Sequence, residues 1–209
     1  MREYHVRSCE SAAVRSRRAT HRLVHCKTEA EALAIKAALK ERLAACGLEM
    51  HPDKTHIVYC KDGSRKEKHP NTKFDVLGYT FRPRVVKNRK RNSLFVSFTP
   101  AVSTKALKAM RETTRRLNYR NRTDLSLRDI SRRHNPVLRG WVAYYGKFYP
   151  SAMYPVFRHF NKTLVAWAMR KYRRLKQHKI RASLFLENVA EKQPYLFVHW
   201  HNGTVGAFA

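Results

Sequence analysis

Apolar residues recur at helical spacing between Thr28 and Gly47, with Ala32, Ile35, Leu39, Leu43 and Cys46 along one face. Thr28 followed three residues later by Glu31 is a capping-box pattern, and Gly47 closes the run, so the spacing predicts an amphipathic helix. The period then changes. His56-Ile-Val-Tyr-Cys60 reads as a short strand and residues 61–72 as a polar loop, while 74–86 and 94–98 are β-prone runs flanking KNRKRN, a hairpin with a basic tip. From Ser103 the pattern is helical again, with Leu107, Met110, Thr114 and Leu117 on one face. A second helix in this half is predicted to start at Asp124 or Ser126. It should stop before Asn135-Pro136, because the residue preceding proline disfavours the α region. A third is predicted over 137–148 and a long fourth over 154–177, with the apolar tail from Pro194 packing back on the helices. Residues 1–22 show no period and hold Arg15, Arg17 and Arg18, so they are expected to form a disordered basic arm.

With 209 residues, 43% hydrophobic and 11% aromatic, the chain can bury one large or two small cores. Charge changes the picture. A net charge of +29 opposes compaction by self-repulsion, and a bound anion is the simplest relief. Ten of the 15 acids lie at or before Asp75, and residues 131–186 contain none, while thirteen Lys/Arg and eleven Phe/Trp/Tyr occupy that same stretch. Cations that neutralise phosphates, interleaved with aromatics, point to nucleic acid. A membrane partner is not expected: no apolar run approaches the roughly 20 residues of a spanning helix, and the first residues lack the apolar stretch of a secretory signal. Cys9, Cys26, Cys46 and Cys60 show no CxxC spacing, which argues against a zinc site or disulfide framework and for reduced thiols in a cytoplasmic protein.

Three stretches, in order, resemble the reverse transcriptase/maturase encoded by group II introns, a mobile element, over about residues 23 to 200. LVHCKTEAEALAIKAALKERLAACGLEMHPDKT is similar to the palm segment after the polymerase active-site strand. FDVLGYTF resembles the hairpin that grips the primer end. LRGWVAYYGKF resembles the maturase-specific signature, with Arg139, Gly140, Trp141, Tyr144 and Tyr145. The resemblance implies an α+β fold: the remnant of a reverse transcriptase palm over 23–99, made of a helix and antiparallel hairpin strands, then a mainly α-helical thumb and maturase domain over 100–209.

One departure from that family decides the expected chemistry. In such enzymes a Tyr-Ala-Asp-Asp strand precedes the segment resembling Leu23-Val-His-Cys26, and its carboxylates hold the metal ions. Here Thr20 and His21 stand in those places, between Arg17, Arg18 and Arg22. Magnesium wants hard, preferably anionic oxygens, so this chain is expected to use no cofactor, Mg2+ being needed only by an intact polymerase. The expectation is an N-terminally truncated or frame-shifted copy without RNA-directed DNA polymerase activity of its own. Loss of half a palm should expose apolar strand faces near Ile57 and Val76.

By the same resemblance Lys54 matches the palm lysine that protonates the leaving pyrophosphate, and Gly78 the primer-grip turn. With no metal-held nucleotide to face, Lys54 reads more plainly as a solvated lysine, and no residue is assigned a catalytic role. Trp141, Tyr144, Tyr145 and Phe148 recur at core spacing, as do Phe157, Phe160, Leu164, Trp167 and Tyr172, so aromatics are expected to be scaffold. RNA contact is assigned to Arg115, Arg116, Arg132, Arg133, Arg139, Lys147, Arg170, Lys171, Arg173, Arg174 and Lys176, most of which lack local acids to pair with. His199 and His201 lack the further ligands of a metal site. The expected partner is group II intron RNA, whose folding and splicing the protein would assist. Two alternatives stand beside it: one half of a split polymerase, joined in trans by a separately encoded fingers/palm fragment, and a generic basic nucleic-acid-binding protein.

Overall fold

The computed structural model describes residues 4–9, 21–64, 67–88 and 90–201. The chain divides into two units, residues 1–100 and 101–209.

In the first unit, strands β1 (Tyr4–Cys9), β2 (His21–Cys26) and β3 (His56–Tyr59) form an antiparallel sheet in the order β2-β1-β3. Tyr4 pairs with Cys26 on one side and Tyr59 on the other. Residues 4–9, expected to belong to a disordered arm, are thus the central strand; the rest of that arm lies outside the described residues except for the start of β2. Helix α1 (Glu29–Ala45) follows, and its caps are those the sequence predicts. The Thr28 side chain accepts from the Glu31 amide at 3.2 Å, while the Glu31 carboxylate accepts from the Lys27 amide at 2.8 Å. At the other end Gly47 takes φ +69°, and the amides of Leu48 and Gly47 donate to the carbonyls of Leu43 and Ala44, a Schellman motif. The helix covers a small core of Cys26, Ala32 and Tyr59, with Val24, Ile35 and Ile57 against it.

The second sheet has the order β4-β5-β6, from β4 (Phe74–Val76), β5 (Tyr79–Asn88) and β6 (Ser93–Val102). The run 74–86, β-prone throughout by its pattern, contains the hairpin that the resemblance of FDVLGYTF implied: Leu77 and Gly78, at φ +49° and +80°, form a two-residue turn with Val76 opposite Tyr79. Phe74 stacks on its cross-strand partner Phe81 with ring centroids 4.8 Å apart. Ile57 and Val76 are themselves half-buried, but Leu77 beside Val76 is exposed, as are Val85, Leu94 and Phe95, Leu94 at 71%.

The second unit is helical. Ser103 caps α2 (Thr104–Arg116), and Ser126 caps α3 (Leu127–Tyr145) through a complete capping box with Asp129. Contrary to the predicted break before Asn135-Pro136, α3 runs straight through, with Pro136 inside it. A mid-helix proline costs about 3 kcal/mol. Pro136 sits on the exposed face, while the opposite face buries Ile130, Ser131, His134, Asn135 and Leu138, and that burial outweighs the local preference.

Helix α4 (Tyr154–Lys171) is the central element, burying Val156, Phe157, Phe160, Leu164, Val165, Trp167 and Ala168 against α2 and its other neighbours. It ends six residues short of the predicted Gln177. Tyr172 is extended, its ring edge-on to Trp167 and Phe185, and a short 3-10 turn Arg173–Leu175 leads into α5 (Lys179–Lys192), which the periodicity did not predict. The tail packs back as expected through Phe197, His199 and Trp200, the latter two within α6 (Val198–His201).

Candidate nucleic-acid interface

The predicted RNA-contact residues all lie in the helical unit, and the structure sorts them into groups. Along α3, Arg132, Arg133 and Arg139 are exposed at spacings that place them on one helix face with Pro136, Gly140, Ala143 and Tyr144. Lys147 follows the helix end, its Nζ 5.8 Å from the centroid of the exposed Phe148 ring. Trp141 and Tyr145 turn inward against the core, whereas Tyr144 and Phe148 are 47% and 55% exposed. Scaffold describes the first pair; the second lies on the cationic side.

At the far end of α4 the cations divide. Lys171 is half-buried: its Nζ donates to the carbonyls of Thr123 and Leu125 at 2.9 and 2.7 Å and lies 5.5 Å from the Trp167 ring centroid. Arg170 donates to the Arg120 carbonyl at 3.1 Å and to the Asn121 side-chain oxygen. Together with the Trp167 indole, which donates to the Arg122 carbonyl at 3.0 Å, they tie the loop after α2 to α4. Arg173, Arg174 and Lys176 are exposed beyond them.

Arg115 and Arg116 occupy the last turn of α2, where the helix dipole favours cations. α2 packs on α4, and its Arg111 and Arg115 act electrostatically on His159 of α4. Burial, then Arg115, Arg111 and Lys162, push the His159 imidazole below its ordinary value. Sequence reasoning missed Arg111, His159 and Lys162, since two helices some fifty positions apart must pack before they meet.

Two further histidines are core residues. His134 is fully buried, stacked on Phe160 at 4.2 Å, and burial pushes its pKa down to about 4. His199 is held at 2.7 Å from Asn161 Oδ1, which also accepts from the Trp200 indole at 3.1 Å. Since an indole only donates, that atom is the amide oxygen, and His199 carries its proton on Nε2. The His201 ring lies tilted against that of the exposed Tyr195, centroids 4.9 Å apart.

In the first unit Lys54 is exposed on a 3-10 turn and Gly78 completes the β4–β5 turn. Thr20 lies outside the described residues. Among the described residues no group of three or more His, Cys, Asp or Glu converges as a metal site. No helix among the described residues is long and apolar enough to cross a membrane.

Residues 107–185 match the family described as group II intron, maturase-specific domain. Nothing matches the chain among curated proteins or solved structures. The matched stretch runs from α2 into α5 and contains every cation assigned to RNA. Such a domain implies a maturase role in splicing. The helical unit is thus built around a group II intron maturase-specific domain, which supports identifying the chain with the group II intron reverse transcriptase/maturase that its motifs resemble.

Proposed function

We propose that the helical unit binds structured group II intron RNA and assists its folding and splicing, with the RNA itself performing the transesterifications. One observation carries this reading. Within the matched domain, residues 131–185 contain no carboxylate, yet Arg132, Arg133, Arg139, Lys147, Arg173, Arg174 and Lys176 are exposed. A merely solvated surface intersperses both signs, whereas a phosphate-binding one does not. Arginine predominates, and its planar fork suits phosphate oxygens. In structured RNA such groups read backbone shape and 2′-hydroxyls more than base sequence.

Titrating purified protein with a group II intron RNA and with an unrelated RNA of equal length, at matched salt, tests the proposal. Tighter binding to the intron, weakening linearly in log affinity against log salt, is the expected result. Equal affinity for both would replace it with a generic basic binder. Polymerase activity of this chain alone is not expected, because Thr20 and His21 stand where the resembled enzymes carry aspartates. Template-dependent cDNA from an annealed primer in magnesium would overturn that.

A further inference from the structure

We infer that the C-terminal end of α3 is a stacking platform for an unpaired RNA base, formed by Tyr144 and Phe148, with Arg139 and Lys147 placed for the phosphates that flank it. The inference rests on the RNA-binding reading above and names the feature of the RNA that this face takes. Here the helix divides between two sides. Trp141, Val142 and Tyr145 pack against the core, whereas Arg139, Tyr144, Lys147 and Phe148 are exposed. The inward Tyr145 braces the outward Tyr144, their ring centroids 4.7 Å apart and their planes at 84°. Gly146 stays in the α region at φ −78° and ψ −8°, its amide donating to the Val142 carbonyl at 2.9 Å, so Lys147 and Phe148 follow one turn beyond Ala143 and Tyr144. The Lys147 Nζ lies 5.8 Å from the Phe148 ring centroid, which puts a cation on a flexible stem beside the second ring.

The surface in front of Tyr144 is open. Gly140 lies one turn earlier on the same face, and a Cβ there would meet nothing within 4 Å. Among the described residues nothing calls for that glycine, in contrast to Gly146, where a Cβ would meet the Val142 carbonyl oxygen at 2.6 Å. A glycine inside a helix disfavours the helix, and what it permits is close approach of another molecule to the backbone. Charge selects the occupant. Residues 131–186 hold no carboxylate, so a second copy of this chain, itself at +29, would be repelled. A nucleotide answers both halves of the patch: its base offers a π-face to the rings and its phosphates meet the cations. Bases in loops and bulges can be splayed out to stack, whereas those of a duplex are held in its interior.

The test is titration of the full chain, at matched salt, with a group II intron RNA and with a fully paired RNA duplex. Tyr144→Ala and Phe148→Ala should each weaken intron binding by about five- to hundredfold. The slope of log affinity against log salt should not change in either, because a stacking contact releases no counterion. Their affinity for the duplex should equal that of the wild type. Tyr144→Trp keeps a ring and should bind the intron as the wild type does, while Lys147→Ala should weaken both RNAs and lower the salt slope by about one. Gly140→Leu separates binding from folding: it fills the space before the ring, so intron affinity should fall while the melting temperature holds or rises, leucine being the better helix former. Intron affinity unchanged in both alanine variants, an equal loss on intron and duplex, or a Tyr144→Trp variant as weak as Tyr144→Ala overturns the platform and leaves RNA binding standing. Absence of RNA binding by the wild type overturns the parent reading instead. Thermal melts of every variant confirm that each is folded.

Discussion

The side-chain amide of Asn135 holds the backbone of Leu196: its Nδ2 donates to the Leu196 carbonyl at 2.9 Å, and its Oδ1 accepts from the Val198 amide at 3.2 Å. Two hydrogen bonds thus join the middle of α3 to a segment about sixty residues later, beside the proline that would otherwise loosen the helix. Asn135→Ala should lower stability by about 1–3 kcal/mol, since the partner groups are left without their bonds. Asn135→Asp should be damaging too, because a carboxylate cannot donate to Leu196. Denaturant midpoints measure both, and an unchanged midpoint for Asn135→Ala would mean that the bridge does not stabilise the fold.

Two glycines of the maturase-like signature should respond in opposite ways. A Cβ at Gly146 would meet the Val142 carbonyl oxygen at 2.6 Å, too close without a backbone shift. A Cβ at Gly140, mid-helix, meets nothing within 4 Å. Gly146→Ala should destabilise, and Gly140→Ala should stabilise by up to about 1 kcal/mol through helix propensity. Thermal melts of the two variants decide it; a destabilised Gly140→Ala would contradict the open surroundings.

Acid should weaken the fold through its buried histidines. His134 and His199 have folded values near 4 and 3, below the ordinary histidine value, because burial disfavours the charged ring. The unfolded chain therefore binds protons that the folded one refuses. Stability is full above about pH 6.5, declines as pH falls toward the folded values, and flattens below them, by a few kcal/mol for the pair. Both ring nitrogens of His134 are buried without a hydrogen-bond partner. His134→Phe should remove part of the acid sensitivity at little loss of neutral-pH stability. Urea melts across that pH range check it, and an unaltered pH slope in His134→Phe would refute the assignment.

Neighbouring cations at the end of α4 should separate by phenotype. Lys171→Ala removes two bonds to loop carbonyls and should reduce stability by about 1–3 kcal/mol. Arg173→Ala and Arg174→Ala, at exposed positions, should leave melting within about 0.5 kcal/mol of wild type and weaken RNA binding. Melting and RNA titration of the same three preparations give both readouts. Equal behaviour in the two would show that tethering and contact are not divided this way.

What the sequence reveals here is mainly local. Thr28, Glu31 and Gly47 mark α1, and Ser126 marks the start of α3, because a cap is a short-range hydrogen bond between residues a few positions apart. Pro136 misleads for the same reason: its local preference is real, and a buried helix face overrides it. Lys171 looks like any other cation in the run, since its carbonyl partners lie more than forty residues away. The effect of Arg111 and Arg115 on His159 is invisible until α2 and α4 pack. Charge excess, by contrast, needs no fold to be read.

The tie from Lys171 has a practical side. Its counter-dipoles are main-chain carbonyls, half-buried beside an indole, and such contacts are screened by electrolyte far less than exposed ion pairs. Concentrated salt should thus strip bound nucleic acid from the exposed arginines while the folded domain persists. On the proposed RNA binding, a high-salt wash followed by return to low salt should give back folded protein that binds again.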